Sequence, residues 1–299
     1  MDDKKMLFIY NPHAGKAGIR SNLLDIVDIF TKAGYEVTAH PTQKQGDAIE
    51  ATLKKAHKYE VLACCGGDGT LDEVVTGMMK RSYRIPIGYI PAGTTNDFAR
   101  SLGIPSNMIR AAENIVAGNR FCCDIGAFND DTFVYIAAFG LFTDVSYETD
   151  QHVKNVLGHL AYVLEGARRL NKYPCYHMKV TSNGETIEED FMYGMVSNSR
   201  SAGGFKNITG KNVELDDGVF EVTLIKKPGN VIELNQIMAA LVGGNIDAEC
   251  MYCFKTAHIT FESSEPIAWT LDGEFGGNHK DVVISNEKQA LQIIVPQGK

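Results

Sequence analysis

Tyr59-Glu60-Val61-Leu62-Ala63-Cys64-Cys65-Gly66-Gly67-Asp68-Gly69-Thr70-Leu71-Asp72-Glu73-Val74-Val75 carries a short apolar run into a glycine turn and out into a helical pattern. Val61 to Cys65 reads as a buried strand. Gly66, Gly67 and Gly69 admit positive φ and let a ligand approach main-chain N–H groups with no Cβ in the way. Thr70 and Glu73 have capping-box spacing, so Thr70 is the expected N-cap of a helix running to Arg81. Free N–H groups and the positive end of the helix dipole then favour an anion at the turn. Asp68 opposes this, because a carboxylate beside a phosphate repels it unless a cation lies between, so a metal is implied. Taken alone, the stretch is equally well a strand-to-helix turn that happens to hold an acidic residue.

Working outward, strand and helix alternate through the first third of the chain. Lys5 to Tyr10 reads as a strand, Ile19 to Ala33 as an amphipathic helix ending at Gly34, and Tyr35 to His40 as a second strand. A helix over Asp47 to His57 and a strand over Ile85 to Ile90 complete the pattern. Alternation of this kind predicts an α/β unit, a doubly wound parallel sheet with ligand loops at the strand C-termini. The strands end in Asn11-Pro12-His13-Ala14-Gly15, Pro41-Thr42, the glycine turn and Pro91-Ala92-Gly93-Thr94-Thr95-Asn96-Asp97.

After about Gly118 the texture becomes β-rich, with strand-like runs at Phe133 to Ala138, Tyr176 to Thr181, Phe191 to Val196, Val219 to Ile225, Phe254 to Phe261, Ile267 to Leu271 and Leu291 to Val295. Two helices interrupt them, Val153 to Leu170 and Val231 to Leu241. The expected domains are residues 1–125 and 126–299, with the last strand returning to the first.

Composition narrows the class. The chain has 299 residues, 44% hydrophobic and 22% charged, which suits a globular fold with substantial cores. No run of 18 apolar residues and no signal-peptide design is present, so a soluble, cytosolic protein is expected. Seven cysteines, mostly in apolar runs, read as reduced core residues, and the lone Cys250-Met251-Tyr252-Cys253 lacks the second pair that a zinc site needs. A net charge of −8 argues against nucleic acid as a partner. There is no Gly-x-x-x-x-Gly-Lys-Ser/Thr loop and no His-Arg-Asp or Asp-Phe-Gly pair, so neither a P-loop enzyme nor a protein kinase is supported.

Three later stretches carry further chemistry. Thr94-Thr95-Asn96-Asp97-Phe98-Ala99-Arg100 puts hydroxyls and an Asn-Asp pair at a helix start, where simple N-capping is the plainer reading. Leu215-Asp216-Asp217-Gly218 precedes a strand, and Asp-Gly there is most often a turn. Leu271-Asp272-Gly273-Glu274 is a hairpin by the same reasoning, or a pair of carboxylates sharing one face if the chain stays extended.

Together, in this order, these elements resemble the diacylglycerol kinase catalytic-domain family, especially the soluble Gram-positive lipid kinases. The resemblance covers nearly the whole chain. It rests on Tyr10-Asn11-Pro12-x-Ala14-Gly15-Lys16, Gly66-Gly67-Asp68-Gly69-Thr70-Leu71-x-Glu73-Val74, Pro91-x-Gly93-Thr94-x-Asn96-Asp97-Phe98-Ala99-Arg100, and the Asp217 and Asp272 turns. The Gly-Gly-Asp-Gly element is shared with NAD kinases and sphingosine kinases. The Asn-Asp-Phe-Ala-Arg ending is more specific.

The resemblance implies an NAD-kinase-like pair of domains, the second sandwich-like. It implies ATP held by Asn11, Pro12, His13, Ala14, Gly15, Thr42, Gly67, Asp68, Gly69, Thr70, Leu71, Asp72, Glu73 and Thr94. It also implies Mg²⁺ on the Asp217 carboxylate and the main-chain oxygens of Glu214 and Val219, linked through water to Asp68 and Asp97. The proton acceptor falls on Glu274, with Asp272 beside it. The substrate implied is a membrane lipid, diacylglycerol, reached peripherally at the inner membrane surface by a homodimer. Tyr162, Val163, Leu164, Phe139, Leu141 and Phe142 are candidates for an apolar cleft, and Arg168, Arg169 and Lys172 for headgroup contact. An NAD kinase, a non-catalytic nucleotide-binding regulator and a kinase for another lipid (phosphatidylglycerol, a sphingoid base or a ceramide-like lipid) are the alternatives. The first should lack the Asn-Asp-Phe-Ala-Arg ending and the second should have lost one of Asp68, Asp217, Asp272 or Glu274.

Overall fold

The computed structural model describes residues 4–94, 96–140, 175–202, 205–206, 213–243 and 250–298. The chain divides into two compact units, Met1–Ile125 with Gln289–Lys299, and Gly126–Lys288.

In the first unit the strands are β1 (Lys4–Tyr10), β2 (Tyr35–Pro41), β3 (Val61–Gly66) and β4 (Ile87–Pro91). The helices are α1 (Ala14–Ala17), α2 (Ile19–Lys32), α3 (Asp47–Lys55), α4 (Asp68–Met79), α5 (Asp97–Ser101) and α6 (Met108–Ala117), followed by β5 (Asn119–Phe128). β1 pairs in parallel with β2 on one side and β3 on the other, and β3 pairs in parallel with β4. Near the C-terminus Ile293 and Ile294 add a further parallel strand beside β4. Because the chain steps from β1 to β2 and then back across β1 to β3, its direction switches between β1 and β3. Such switch points are where open α/β sheets bind ligands.

Every residue of β3 is buried, as its uninterrupted apolar run requires. α2 turns Ile19, Ile26 and Phe30 inward at helical spacing, and Phe30 meets Phe8 edge-on with ring centroids 5.6 Å apart. α2 packs with α6 and α3 with α4. α4 starts at Asp68, two residues before the expected Thr70; its N-cap is Gly67, without a side-chain cap. The capping box therefore does not form, since Glu73 is committed elsewhere.

The second unit is built from β6 (Asp131–Phe133), β7 (Ile136–Gly140), β8 (Tyr176–Ser182), β9 (Glu185–Ser197), the two-residue β10 (Ser201–Ala202) and β11 (Phe205–Lys206), β12 (Phe220–Lys226), α7 (Val231–Gly243), β13 (Met251–Thr256), β14 (His258–Leu271) and β15 (Glu274–Val295), whose last residues lie in the first unit. The pairings are antiparallel. β9 and β14 are long enough to pair with β8 along one half and β7 along the other. Around Trp269, fully buried, the rings of Phe128, Phe139 and Phe261 lie within 5.1 Å centroid to centroid. Phe139, a candidate for an apolar cleft, is therefore a core residue. The single strand expected from Phe254 to Phe261 is two, β13 and β14, which break at Ala257. The expected helix from Val153 to Leu170, and the cleft and headgroup candidates from Leu141 to Lys172, lie outside the described residues. The seven cysteines are thiols, with no disulfide among them. Burial pushes the Cys65 thiol up to about 12.

Candidate functional site

Three loops meet at the C-terminal ends of β1, β3 and β4. Asn11 N–H donates to the Cys65 carbonyl at 2.9 Å and Ala92 N–H to the Gly66 carbonyl at 2.7 Å, so the strand ladder continues into the loops. Glycines let them touch. A Cβ on Gly15, which has φ of +55°, would lie 2.1 Å from the Ala92 carbonyl oxygen, and one on Gly93 would lie 2.8 Å from the Gly67 Cα. His13 N–H closes back onto the Asn11 side chain at 2.9 Å. Thr42 joins the same edge through its N–H, 2.9 Å from the Tyr10 carbonyl.

Asn96 locks two of these loops together. It sits at φ +50° as N-cap of α5, and its amide side chain accepts from Gly93 N–H at 2.9 Å and donates to the Gly93 carbonyl at 2.8 Å. Its own N–H donates to the Asp68 carboxylate at 2.9 Å. The next residue in the chain, Asp97, is buried. Tyr89, whose hydroxyl donates to the Gly66 carbonyl at 3.1 Å, supports the turn from below. A cavity of about 330 Å³ opens here, lined by Gly15, Gly93, Thr94, Asn96, Arg100 and Ser106 among others.

The remaining nucleotide candidates divide by what their side chains do. Gly69 and Thr70 lie in the first turn of α4, with the Thr70 side chain folded over Gly66. Leu71 is buried, so its side chain belongs to the core. Asp72 is half-buried, Pro12 and Ala14 line the chain between β1 and α2, and Thr94 is exposed. Glu73 spends both carboxylate oxygens on another loop, accepting from Gly46 N–H at 2.7 Å and Ala48 N–H at 3.1 Å. It caps the N-terminus of α3, where Gly46 at φ +81° has no side chain to do so.

In the second unit Leu271 pairs with Glu274, leaving Asp272 and Gly273 as a two-residue turn at φ +51° and +88°. Positive φ at both positions is the hairpin geometry that suits right-twisted strands. The chain does not stay extended, so the two carboxylates do not share a face. Asp272 is 4% exposed; its carboxylate accepts the main-chain N–H groups of Val134, Tyr135 and Ile136. Glu274 is exposed. This burial difference, invisible in the sequence, separates an engaged carboxylate from one open to solvent.

The Leu215–Gly218 turn closes on itself through Val219 N–H, which donates to the Asp217 carboxylate at 3.1 Å, with Gly218 at φ +88°. Lys255 Nζ lies 3.3 Å from the other Asp217 carboxylate oxygen, and Lys288 Nζ donates to the Asp217 carbonyl at 3.2 Å. Glu214 is exposed and Val219 half-buried. Among the described residues no three His, Cys, Asp or Glu side chains gather as a metal cluster. The turn offers the Asp217 carboxylate and main-chain oxygens, a hard donor set suited to a hard cation, and two ammonium groups already converge on Asp217. Sequence reasoning missed Lys255 and its second partner Glu221, because their meeting depends on strand register.

Residues 5–128 match the diacylglycerol kinase catalytic domain, and residues 137–295 match the YegS C-terminal NAD kinase beta sandwich-like domain. A diacylglycerol kinase of Staphylococcus carnosus (strain TM300) is 34% identical over 98% of this chain and 96% of its own. One from Bacillus subtilis (strain 168) is 32% identical over 99% and 98%. Among solved structures, a chain from Bacillus anthracis str. Sterne superposes with a TM-score of 0.83 at 27% identity, covering 98% of this chain and 96% of that one.

Proposed function

This chain belongs to the diacylglycerol kinase family of lipid kinases, and from that premise we propose that it transfers the γ-phosphoryl group of ATP to the free hydroxyl of diacylglycerol, giving phosphatidate. Asn96 is the observation that carries the reading. The Asn-Asp-Phe-Ala-Arg ending, which separates lipid kinases from NAD kinases in the resemblance, is tied through Asn96 to the Gly-Gly-Asp-Gly turn that both share.

The loops at Asn11 to Gly15, Thr42, Gly67 to Glu73 and Thr94 hold the nucleotide, mainly through main-chain N–H groups at the strand ends. Phosphoryl transfer passes through a loose transition state, so positioning and charge neutralisation dominate. Glu274 takes the proton from the lipid hydroxyl as its oxygen attacks the γ-phosphorus in line, and ADP departs. A positioned carboxylate contributes on the order of 10²–10⁴ in rate. Asp272, with its oxygens spent on main-chain N–H groups, positions the hairpin that carries Glu274. Mg²⁺ would be held by the Asp217 carboxylate and the main-chain oxygens of Glu214 and Val219, and would supply positive charge there.

No described helix is long and apolar enough to cross a membrane; that the lipid is reached peripherally rests on the resemblance. Assembly as a homodimer rests on the resemblance alone and is checked by light scattering. The deciding assay supplies radiolabelled ATP with diacylglycerol, phosphatidylglycerol, sphingoid bases, ceramide and NAD, with Glu274→Ala alongside. Labelled phosphatidate that disappears in the variant supports the reading; labelled NAD without phosphatidate overturns it.

A further inference from the structure

We infer that the Lys255 ammonium competes with the divalent cation for the Asp217 turn and so sets how tightly the metal binds. The inference rests on the reading of that turn as the Mg²⁺ site. Every oxygen of Asp217 carries a donor: Val219 N–H on one carboxylate oxygen, Lys255 Nζ at 3.3 Å on the other, and Lys288 Nζ at 3.2 Å on the carbonyl. Asp217 is thus engaged from within its own unit.

Lys255 also has somewhere to go. It stands on β13 directly opposite Glu221 of β12 in the antiparallel register, and its Nζ lies 3.0 Å from the Glu221 carboxylate. Glu221 is only 4% exposed, so it cannot turn to water and holds the ammonium at the edge of the turn. A metal that takes the Asp217 carboxylate displaces Lys255 from one acid while leaving it on the other. The exchange costs no unpaired buried charge, but a cation left so close repels the incoming ion. Lys288 reinforces the arrangement: its aliphatic stem lies where a Cβ on Gly218 would go, 2.8 Å from Cδ, so the glycine is what lets it reach across the turn.

The test is Mg²⁺ binding to the full-length, nucleotide-free protein, read by calorimetry and by the shift of the thermal midpoint. The double variant Lys255→Met with Glu221→Gln removes the ammonium without stranding a buried carboxylate, and should bind Mg²⁺ on the order of tenfold more tightly. Lys255→Arg keeps the charge and should bind no more tightly than the wild type. Asp217→Asn should lose the binding. If the double variant fails to fold, Lys255→Gln alone carries the comparison, with the same direction expected. Unchanged or weaker binding in the variant that removes the ammonium (the double variant, or Lys255→Gln in its place), with Asp217-dependent binding intact in the wild type, overturns the competition and leaves the metal reading standing. A wild type whose Mg²⁺ binding ignores Asp217→Asn overturns both.

Discussion

Asp272 and Tyr135 hold each other by two bonds: the Asp272 carboxylate accepts the Tyr135 main-chain N–H at 2.9 Å, and the Tyr135 hydroxyl donates to the Asp272 carbonyl at 3.2 Å. With Val134 and Ile136 also donating to the carboxylate, and Asp272 N–H donating to the Ile136 carbonyl at 2.9 Å, the hairpin turn is fastened to the segment leading into β7. A carboxylate this engaged is anchored, while Glu274, two residues on, is exposed.

The two acids should therefore fail in different ways. Asp272→Asn turns an acceptor oxygen into a donor amide facing main-chain N–H groups, and should cost about 2–3 kcal/mol of stability. Glu274→Ala should leave stability within about 0.5 kcal/mol, as exposed substitutions do, and lower kcat by about 10²–10⁴. Urea unfolding midpoints and kcat, measured on both variants, decide it; equal loss of stability in both would remove the division of roles.

Much of this was legible in the sequence where one residue type forces one outcome. The β3 run is buried because it has no polar alternation, and the Asp272-Gly273 dipeptide turns because both positions need positive φ. The capping box expected at Thr70 does not form because capping spacing is local, whereas the Glu73 carboxylate is claimed by N–H groups at Gly46 and Ala48 across the fold. Lys255 escaped notice for the same kind of reason. Its pairing with Glu221 follows from β12 and β13 register, which no spacing within one strand reveals.

The Glu73 side chain offers a way to alter nucleotide binding through a neighbouring loop. Its two bonds fix Gly46 and Ala48, and so the loop that begins at Thr42. Glu73→Ala frees both N–H groups and should raise KM for ATP about tenfold with kcat changed less than about threefold; Glu73→Gln, which keeps one acceptor, should recover part of the loss. A fall in kcat at constant KM would place Glu73 in the chemistry instead.

The same loop gives a pH dependence. Asp47 accepts Gln43 N–H at 2.8 Å, and this bond, against some desolvation and with help from His40, holds its pKa below the ordinary carboxylate value. The unfolded chain takes up the proton first as pH falls. The contribution of Asp47 is therefore complete above the unfolded value near pH 4 and is lost below it, as pH passes through the folded value. Asp47→Asn should be about 1 kcal/mol less stable at pH 7, with the gap closing below about pH 4. Denaturant midpoints from pH 3 to 7 would show it, and a gap independent of pH would refute it.

Gly67 and Gly93 face each other across the candidate site but should respond differently to a methyl group. A Cβ on Gly93 would lie 2.8 Å from the Gly67 Cα and 2.8 Å from the Asn96 Oδ1, so the two loops must part and the Asn96 clamp must shift. Overpacking of this kind costs about 1–3 kcal/mol. Gly93→Ala should show that loss together with weaker ATP binding. Gly67 has φ of −80°, which any residue adopts, and a Cβ there meets only the Gly93 Cα at an ordinary 3.5 Å. Gly67→Ala should keep its stability within about 0.5 kcal/mol. If the glycine turn cradles phosphates, that variant still loses ATP affinity, because the methyl group stands where the main chain must approach the ligand. Thermal midpoints and ATP titrations on the pair give the answer: a Gly67→Ala protein as stable as the wild type and equally tight for ATP would move the nucleotide away from this turn.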